Sequence, residues 1–165
     1  MGERMETTTE IIRTRLRRYT FEVDKIREWV ERQCSGRVLN LFAGYNLLNV
    51  DEVRNDLDPD APADFHLDCL DFVNTWDGEP FDTVVLDPPY AIRKSMEMYG
   101  GRKVSRFKLL ADALPSILTE NARIISFGYH TTFMGAGRGF GLEHLCVFAH
   151  GGSQHATIAI IEVKE

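Results

Sequence analysis

Thr83-Val84-Val85-Leu86-Asp87-Pro88-Pro89-Tyr90 (TVVLDPPY, residues 83–90) is the stretch whose reading decides the fold. Its apolar run Val84-Val85-Leu86 reads as a short strand buried on both faces, the habit of parallel sheets. The strand then stops abruptly. Two prolines fix φ, remove two N–H donors and stiffen the turn, so the Asp87 carboxylate and nearby carbonyls leave the sheet as outward-facing acceptors. An aromatic ring, Tyr90, follows them. A rigid turn closing a strand would use the same residue types; the segments on either side weigh against so plain a role.

Comparable runs recur along the chain. RVLNLF (37–42), DEVRND (51–56) and DFHLD (64–68) precede the stretch, and ARIISFG (122–128), LEHLCVFAH (142–150) and HATIAIIEV (155–163) follow it, which makes seven expected strands. Within 106–120, Phe107, Leu110, Leu114, Ile117 and Leu118 mark one helical face, bent or restarted at Pro115. Residues 69–76 give a shorter crossover. Upstream, Ile11, Ile12 and Leu16, then Val23, Ile26, Trp29 and Val30, recur at helical spacing, so one or two helices are expected over 10–34, stopping at Gly36. Only Gly151, Gly152, Ser153 and Gln154 separate the last two strands, which predicts an antiparallel hairpin. The expected fold class is α/β: a doubly wound, mostly parallel, Rossmann-like sheet of about seven strands with a C-terminal antiparallel β-hairpin. It forms one domain over 1–165, with N-terminal helices in 1–35 and the core in 36–165.

A hydrophobic fraction of 44% with 27% charged residues suits a globular core, and no apolar run approaches the roughly 20 residues that span a bilayer. The opening MGERMETTTE lacks the apolar stretch of a secretory signal, so a cytoplasmic setting is expected. Cys34, Cys69 and Cys146 are odd in number and widely spaced, which fits reduced thiols better than disulfides or zinc. His150 and His155 flank a turn with no further ligand nearby in sequence, so no metal is expected. A net charge of −6 opposes a nucleic-acid partner overall, but two stretches are basic. They are Arg13, Arg15, Arg17 and Arg18, and a second running from Arg93 and Lys94 through Arg102, Lys103 and Arg106 to Lys108. The second is the one expected to face a substrate.

Two acceptors beside an aromatic ring suit a particular chemistry. The exocyclic amine of adenine or cytosine is a poor nucleophile because its lone pair is delocalised into the ring. Acceptors that bind its hydrogens favour a pyramidal nitrogen able to attack a methyl group, while Tyr90 stacks on the base. At earlier strand ends, Gly44 gives backbone room for a ligand, Asp56 or Asp58 can accept from ribose hydroxyls, and Asp68 can accept from an adenine amine. Each aspartate also suits a loop or a helix N-cap.

Together these residues resemble the class I, Rossmann-like, S-adenosylmethionine-dependent amino-methyltransferases, in particular DNA adenine-N6 methyltransferases, which carry D-P-P-Y after the fourth strand. The likeness covers about residues 37–128. It implies S-adenosylmethionine as cofactor, with Phe42, Ala43 and Gly44 in its glycine loop and Asp56, then Asp58, as choices for the ribose. It implies Asp68 at the cofactor's adenine amine, followed by an apolar residue, Cys69, against the ring. Asp87, Pro88, Pro89 and Tyr90 would then be catalytic. The loop departs from the family pattern in lacking a second glycine after Gly44. The 14 steps from Phe42 to Asp56 also leave almost no room for a first crossover helix, which predicts a shallow cofactor site or one completed by a partner chain.

Beyond the tetrad, Lys94, Arg102 and Arg106 are the expected phosphate contacts, and Tyr129 and His130 the expected wall of a base pocket. The expected partner is nucleic acid, DNA first and RNA as the near rival. Only the N-terminal helices and the loops at 91–106 and 129–141 leave room for recognition, so either specificity is low, or a homodimer or partner subunit supplies it, or the substrate is RNA or another single strand. None of the three cysteines follows a proline, which argues against cytosine-C5 chemistry. The rival reading of another class is a non-catalytic methyltransferase-like subunit.

Overall fold

The computed structural model describes residues 6–89, 106–128, 130–152 and 154–165. In chain order they form β1 (Thr8–Arg13), α1 (Asp24–Gln33), β2 (Val38–Asn40), β3 (Glu52–Arg54), α2 (Cys69–Thr75), β4 (Phe81–Leu86), α3 (Arg106–Ala113), β5 (Leu118–Gly128), β6 (Phe140–Ala149) and β7 (Thr157–Lys164). The strands make one seven-stranded sheet in the order β1-β6-β7-β5-β4-β2-β3. The pairs β2–β3, β2–β4, β4–β5 and β1–β6 are parallel, while β7 runs antiparallel to both β5 and β6. The expected C-terminal hairpin is therefore present.

Alternation along the strands builds a core on each face of the sheet. Val38, Val85 and Ile125 point to the side where α1 lays down Ile26, Trp29 and Val30. Their neighbours Leu39, Val84 and Ile124 point to the other, against Phe72 and Val73 of α2 and Leu110 of α3. α3 stops at Ala113, and Pro115 opens the 3-10 turn Leu114–Ile117, as a ring without an N–H requires.

The N-terminal expectation needs correction. Residues 8–13 are an edge strand rather than a helix, paired in parallel with His144–Ala149. Thr8, Thr9, Ile11 and Ile12 are β-branched and favour extended backbone, and the edge of β6 offers a ladder that satisfies it. Ile12 packs on the core, and Glu10 accepts from the Trp29 indole N–H at 2.5 Å. The helix of this region is α1 alone, preceded by a 3-10 turn at Thr20–Glu22.

DFHLD (64–68) is likewise not a strand. It contributes one bridge, Asn55 to Phe65, because Asp68 already caps α2 and Phe65 turns edge-on to Phe72 and Trp76. Residues 41–51 between β2 and β3 contain no helix, as their length predicts. Since β3 and β4 flank β2 on opposite sides, the loops leaving β2 and β4 diverge and open a crevice at the topological switch point.

Candidate active site

The loop after β2 forms one wall. Gly44 has φ +63, and a Cβ built there would meet nothing within 4 Å, so its backbone faces open space. With no helix to brace the loop, a buried cation does it. Arg54, 5% exposed, donates to the carbonyls of Ala43 at 3.1 Å, Gly44 at 2.9 Å, Asn46 at 3.2 Å and Pro62 at 2.7 Å. Glu52 balances its charge and also accepts from the Asn40 amide and the Leu48 N–H. Buried Asn55 joins the ends of β2 and β3 to the next segment through the carbonyls of Leu41 and Leu67 and the Leu67 N–H.

Two carboxylates stand beside this loop. Asp56 accepts from the Gly44 N–H at 2.7 Å and the Asp58 N–H at 2.9 Å. Asp58 accepts from the Tyr45 hydroxyl and the Asp60 N–H. The hydrogen bond to Asp58 pushes the Tyr45 phenol up to about 12, and the same bond pulls the Asp58 carboxyl below its ordinary value. Tyr45 is therefore a neutral donor and Asp58 an anion at neutral pH. A carboxylate carries about four acceptor sites, so both aspartates keep capacity for a ligand's hydroxyls.

The end of β4 supplies the opposite wall. Asp87, Pro88 and Pro89 line the same cavity as Phe42, Ala43, Gly44, Asp56 and Asp58, a space of about 1490 Å³. A smaller cavity of about 370 Å³ shares Phe42, Pro88 and Gly128 with it and is walled by Phe107, His130 and Phe133. Phe107 and Phe133 meet edge to face at 6.3 Å. The segment carrying Phe133 hangs on Glu162 of β7, a carboxylate 2% exposed that accepts from the N–H groups of Phe133 at 3.1 Å, Met134 at 2.9 Å and Gly135 at 2.9 Å. Both Arg54 and Glu162 went unremarked in the sequence. Glu162 has a signal there, a single charge inside the apolar run 158–163, whereas Arg54 sits in the polar stretch 51–56 and has none.

The remaining expected residues divide. Asp68 is the N-cap of α2, accepting from the Leu70 N–H, and its other oxygen pairs with Arg106 at 2.6 Å. Cys69 is the buried first residue of α2, and neither residue lines the two cavities. The expectation that Asp68 ends a third strand fails with that strand. Arg106, expected on a phosphate, holds Asp68 instead, and Lys108 pairs with Asp112 at 3.1 Å. It is Arg17 and Arg18 of the first basic stretch that line the larger cavity. Tyr90, Lys94, Arg102 and Tyr129 lie outside the described residues. Burial pushes the thiols of Cys34, Cys69 and Cys146 to about 12, 11 and 12, far from nucleophilic use.

The chain has the Rossmann-like fold of the methyltransferases, with which solved structures align. TrmN from Thermus thermophilus matches over 87% of this chain and 49% of its own, at 15% identity and a TM-score of 0.61. The chain thus spans about half of TrmN. The inferred methyltransferase yhhF from Escherichia coli matches over 86% of each chain, at 16% identity and a TM-score of 0.58. The glycopeptide N-methyltransferase MtfA matches over 84% of this chain and 94% of its own, at 14% identity and a TM-score of 0.50. No family model matches the sequence, and no curated protein matches it.

Proposed function

We propose that this protein transfers a methyl group from S-adenosylmethionine to an exocyclic amino group of a nucleobase, with adenine N6 in DNA as the first choice of acceptor. One observation carries the reading. Asp87, Pro88 and Pro89 leave β4 into the same cavity as the Gly44 loop and the carboxylates of Asp56 and Asp58. About 1490 Å³ exceeds the roughly 300–1,000 Å³ of a small-molecule site, so a cofactor and an acceptor base fit together.

The residues suit the cofactor. Gly44 presents bare backbone to open space, and Asp56 and Asp58 hold acceptor oxygens in place for the ribose hydroxyls. Phe42 and Ala43 line the cavity beside them. Asp68 and Cys69 drop out of this set because they cap and open α2. When bound, S-adenosylmethionine supplies an electrophilic sulfonium methyl.

The chain's own part is orientation. In this reading the Asp87 carboxylate and the Pro88 carbonyl accept the two hydrogens of the amine and hold its nitrogen pyramidal, and the carboxylate takes the proton that departs late. Neither proline offers an N–H to compete for those acceptors. Tyr90 stacks on the base in the same proposal, and His130 walls the adjoining cavity. No covalent intermediate is required, in keeping with the raised thiols.

RNA is the second acceptor polymer in this reading: the exposed arginine and tyrosine wall of the cavity at Arg18 and Tyr19 suits unpaired bases, of RNA or of single-stranded DNA, better than a closed duplex. The test is mass spectrometry of nucleosides from DNA and RNA incubated with protein and S-adenosylmethionine. Methylated adenine amine is expected, falling on the order of 100-fold or more in Asp87→Ala as an orienting acceptor is lost. Unmodified bases in both polymers would overturn the reading.

A further inference from the structure

Among the arginines of the described residues, Arg27, Arg54, Arg106, Arg123 and Arg138 are ion-paired, Arg37 stands over the rings of Trp76 and Phe81, and Arg32 is exposed on α1. Arg13, Arg15, Arg17 and Arg18 make no ion pair among the described residues, and all four are exposed. They fall within six residues that contain no acid, Arg13 closing β1 and the other three on the irregular segment between β1 and the turn at Thr20. The nearest carboxylates along the chain are occupied. Glu10 holds Trp29 and His144, Glu22 meets the Tyr19 N–H, and Asp24 pairs with Arg27. Lys25 adds a further cation by donating to the Arg13 carbonyl at 2.9 Å.

Aromatic rings continue the strip into the cavity. The Arg18 guanidinium lies 5.1 Å from the centre of the Tyr19 ring, and Tyr19 lies 6.0 Å from Tyr45. Both rings are exposed, at 37% and 44%. The Asp58 carboxylate fixes the Tyr45 hydroxyl, leaving its ring face available. Arg17, Arg18, Tyr19 and Tyr45 line the same cavity as Asp87 and Pro88.

We propose that Arg13, Arg15, Arg17 and Arg18 with Tyr19 and Tyr45 form a track for a single-stranded polynucleotide flanking the acceptor base. Uncompensated guanidiniums in a row match phosphates, and exposed tyrosine faces match unstacked bases, whereas duplex DNA presents no base face to stack. The chemistry is shared by single-stranded DNA and RNA. The track deepens the methyltransferase reading by naming the form of its substrate, and it rests on that reading for its purpose but not for its binding.

The experiment is a salt titration of binding by the full chain to labelled oligonucleotides of one sequence, as single-stranded DNA, single-stranded RNA and duplex DNA. Single strands are expected to bind in preference to duplex, and the DNA and RNA arms identify the polymer. The double variant Arg17→Ala/Arg18→Ala should flatten the plot of log K against log salt by about 1.4, two contacts at about 0.7 each. Tyr19→Ala should weaken binding about tenfold at fixed salt through lost stacking. Melting temperatures of the variants report folding, and Tyr19→Phe, which keeps the ring, should restore affinity. An unchanged slope in the double variant, or duplex preferred over both single strands, overturns the track. Strand binding without methyl transfer to any base would sink the methyltransferase reading and leave the track standing; methyl transfer with strand binding unchanged in all variants would do the reverse.

Discussion

The loop after β2 and the segment after β5 are held by the same device with opposite sign. Arg54 places a buried cation among four backbone carbonyls, and Glu162 places a buried anion among three backbone N–H groups. The difference lies in the counter-charge. Arg54 has Glu52 beside it, equally buried, so its charge is balanced by another residue that itself needs balancing. Glu162 makes no ion pair among the described residues and relies on backbone dipoles, as anion-binding nests do. Each brace serves one end of the site: Arg54 the wall assigned to the cofactor, Glu162 the Phe133 wall beside Pro88. If the site is divided in this way, damage to one brace should leave the other ligand's binding intact.

The largest effect is expected at Arg54→Met. The substitution orphans Glu52 in the interior and strips donors from the carbonyls of Ala43, Gly44, Asn46 and Pro62, a loss of about 3–5 kcal/mol for a broken buried pair. Urea denaturation measures it, and calorimetry should find S-adenosylmethionine binding abolished at temperatures where the variant is still folded. A loss below that of the corresponding change at Glu162 would contradict the asymmetry of counter-charges.

Glu162→Gln comes next. One amide oxygen remains as acceptor while an NH2 group turns toward backbone donors, costing about 1.5–3 kcal/mol for hydrogen bonds to a charged group. The Phe133 wall should loosen, so KM for the acceptor rises several-fold while S-adenosylmethionine affinity stays put. A fall in cofactor affinity at constant acceptor KM would break the division of labour.

How far these features were legible in the sequence follows from their range. Runs such as Val84-Val85-Leu86 and the short β6–β7 connection carry local signals, and both appear where expected. The Asp87 turn and the Gly44 loop were also legible, because a strand end announces itself in proline, glycine and aspartate. β1 was not, since Ile11, Ile12 and Leu16 satisfy a helical spacing as well as a strand, and only the free edge of β6, more than 130 residues away, decides between them. Asp68 was misassigned for a related reason: a carboxylate before an apolar run serves a strand end or a helix cap equally, and the missing third strand leaves the cap. Arg54 holds loops close to it in sequence and Glu162 a segment far from it, but neither position says in the sequence which backbone groups its charge will hold.

The smallest effects come from a pair of glycines that separates stability from binding. Gly135 follows Met134 in the Glu162 nest with φ 75 and ψ 166, a conformation nearly confined to glycine, and a Cβ there would lie 3.4 Å from the Thr132 methyl. Gly135→Ala should cost about 1–3 kcal/mol in urea denaturation, with cofactor affinity unchanged. Gly44 also has positive φ, but nothing stands within 4 Å of the added methyl, so Gly44→Ala should cost only about 1 kcal/mol. Its methyl would project into the open space proposed for the cofactor. The milder substitution for folding should therefore be the more damaging for S-adenosylmethionine binding. If calorimetry found both variants binding the cofactor like the parent protein, the Gly44 backbone would not be the cradle, and the cofactor wall would have to be sought elsewhere in the cavity.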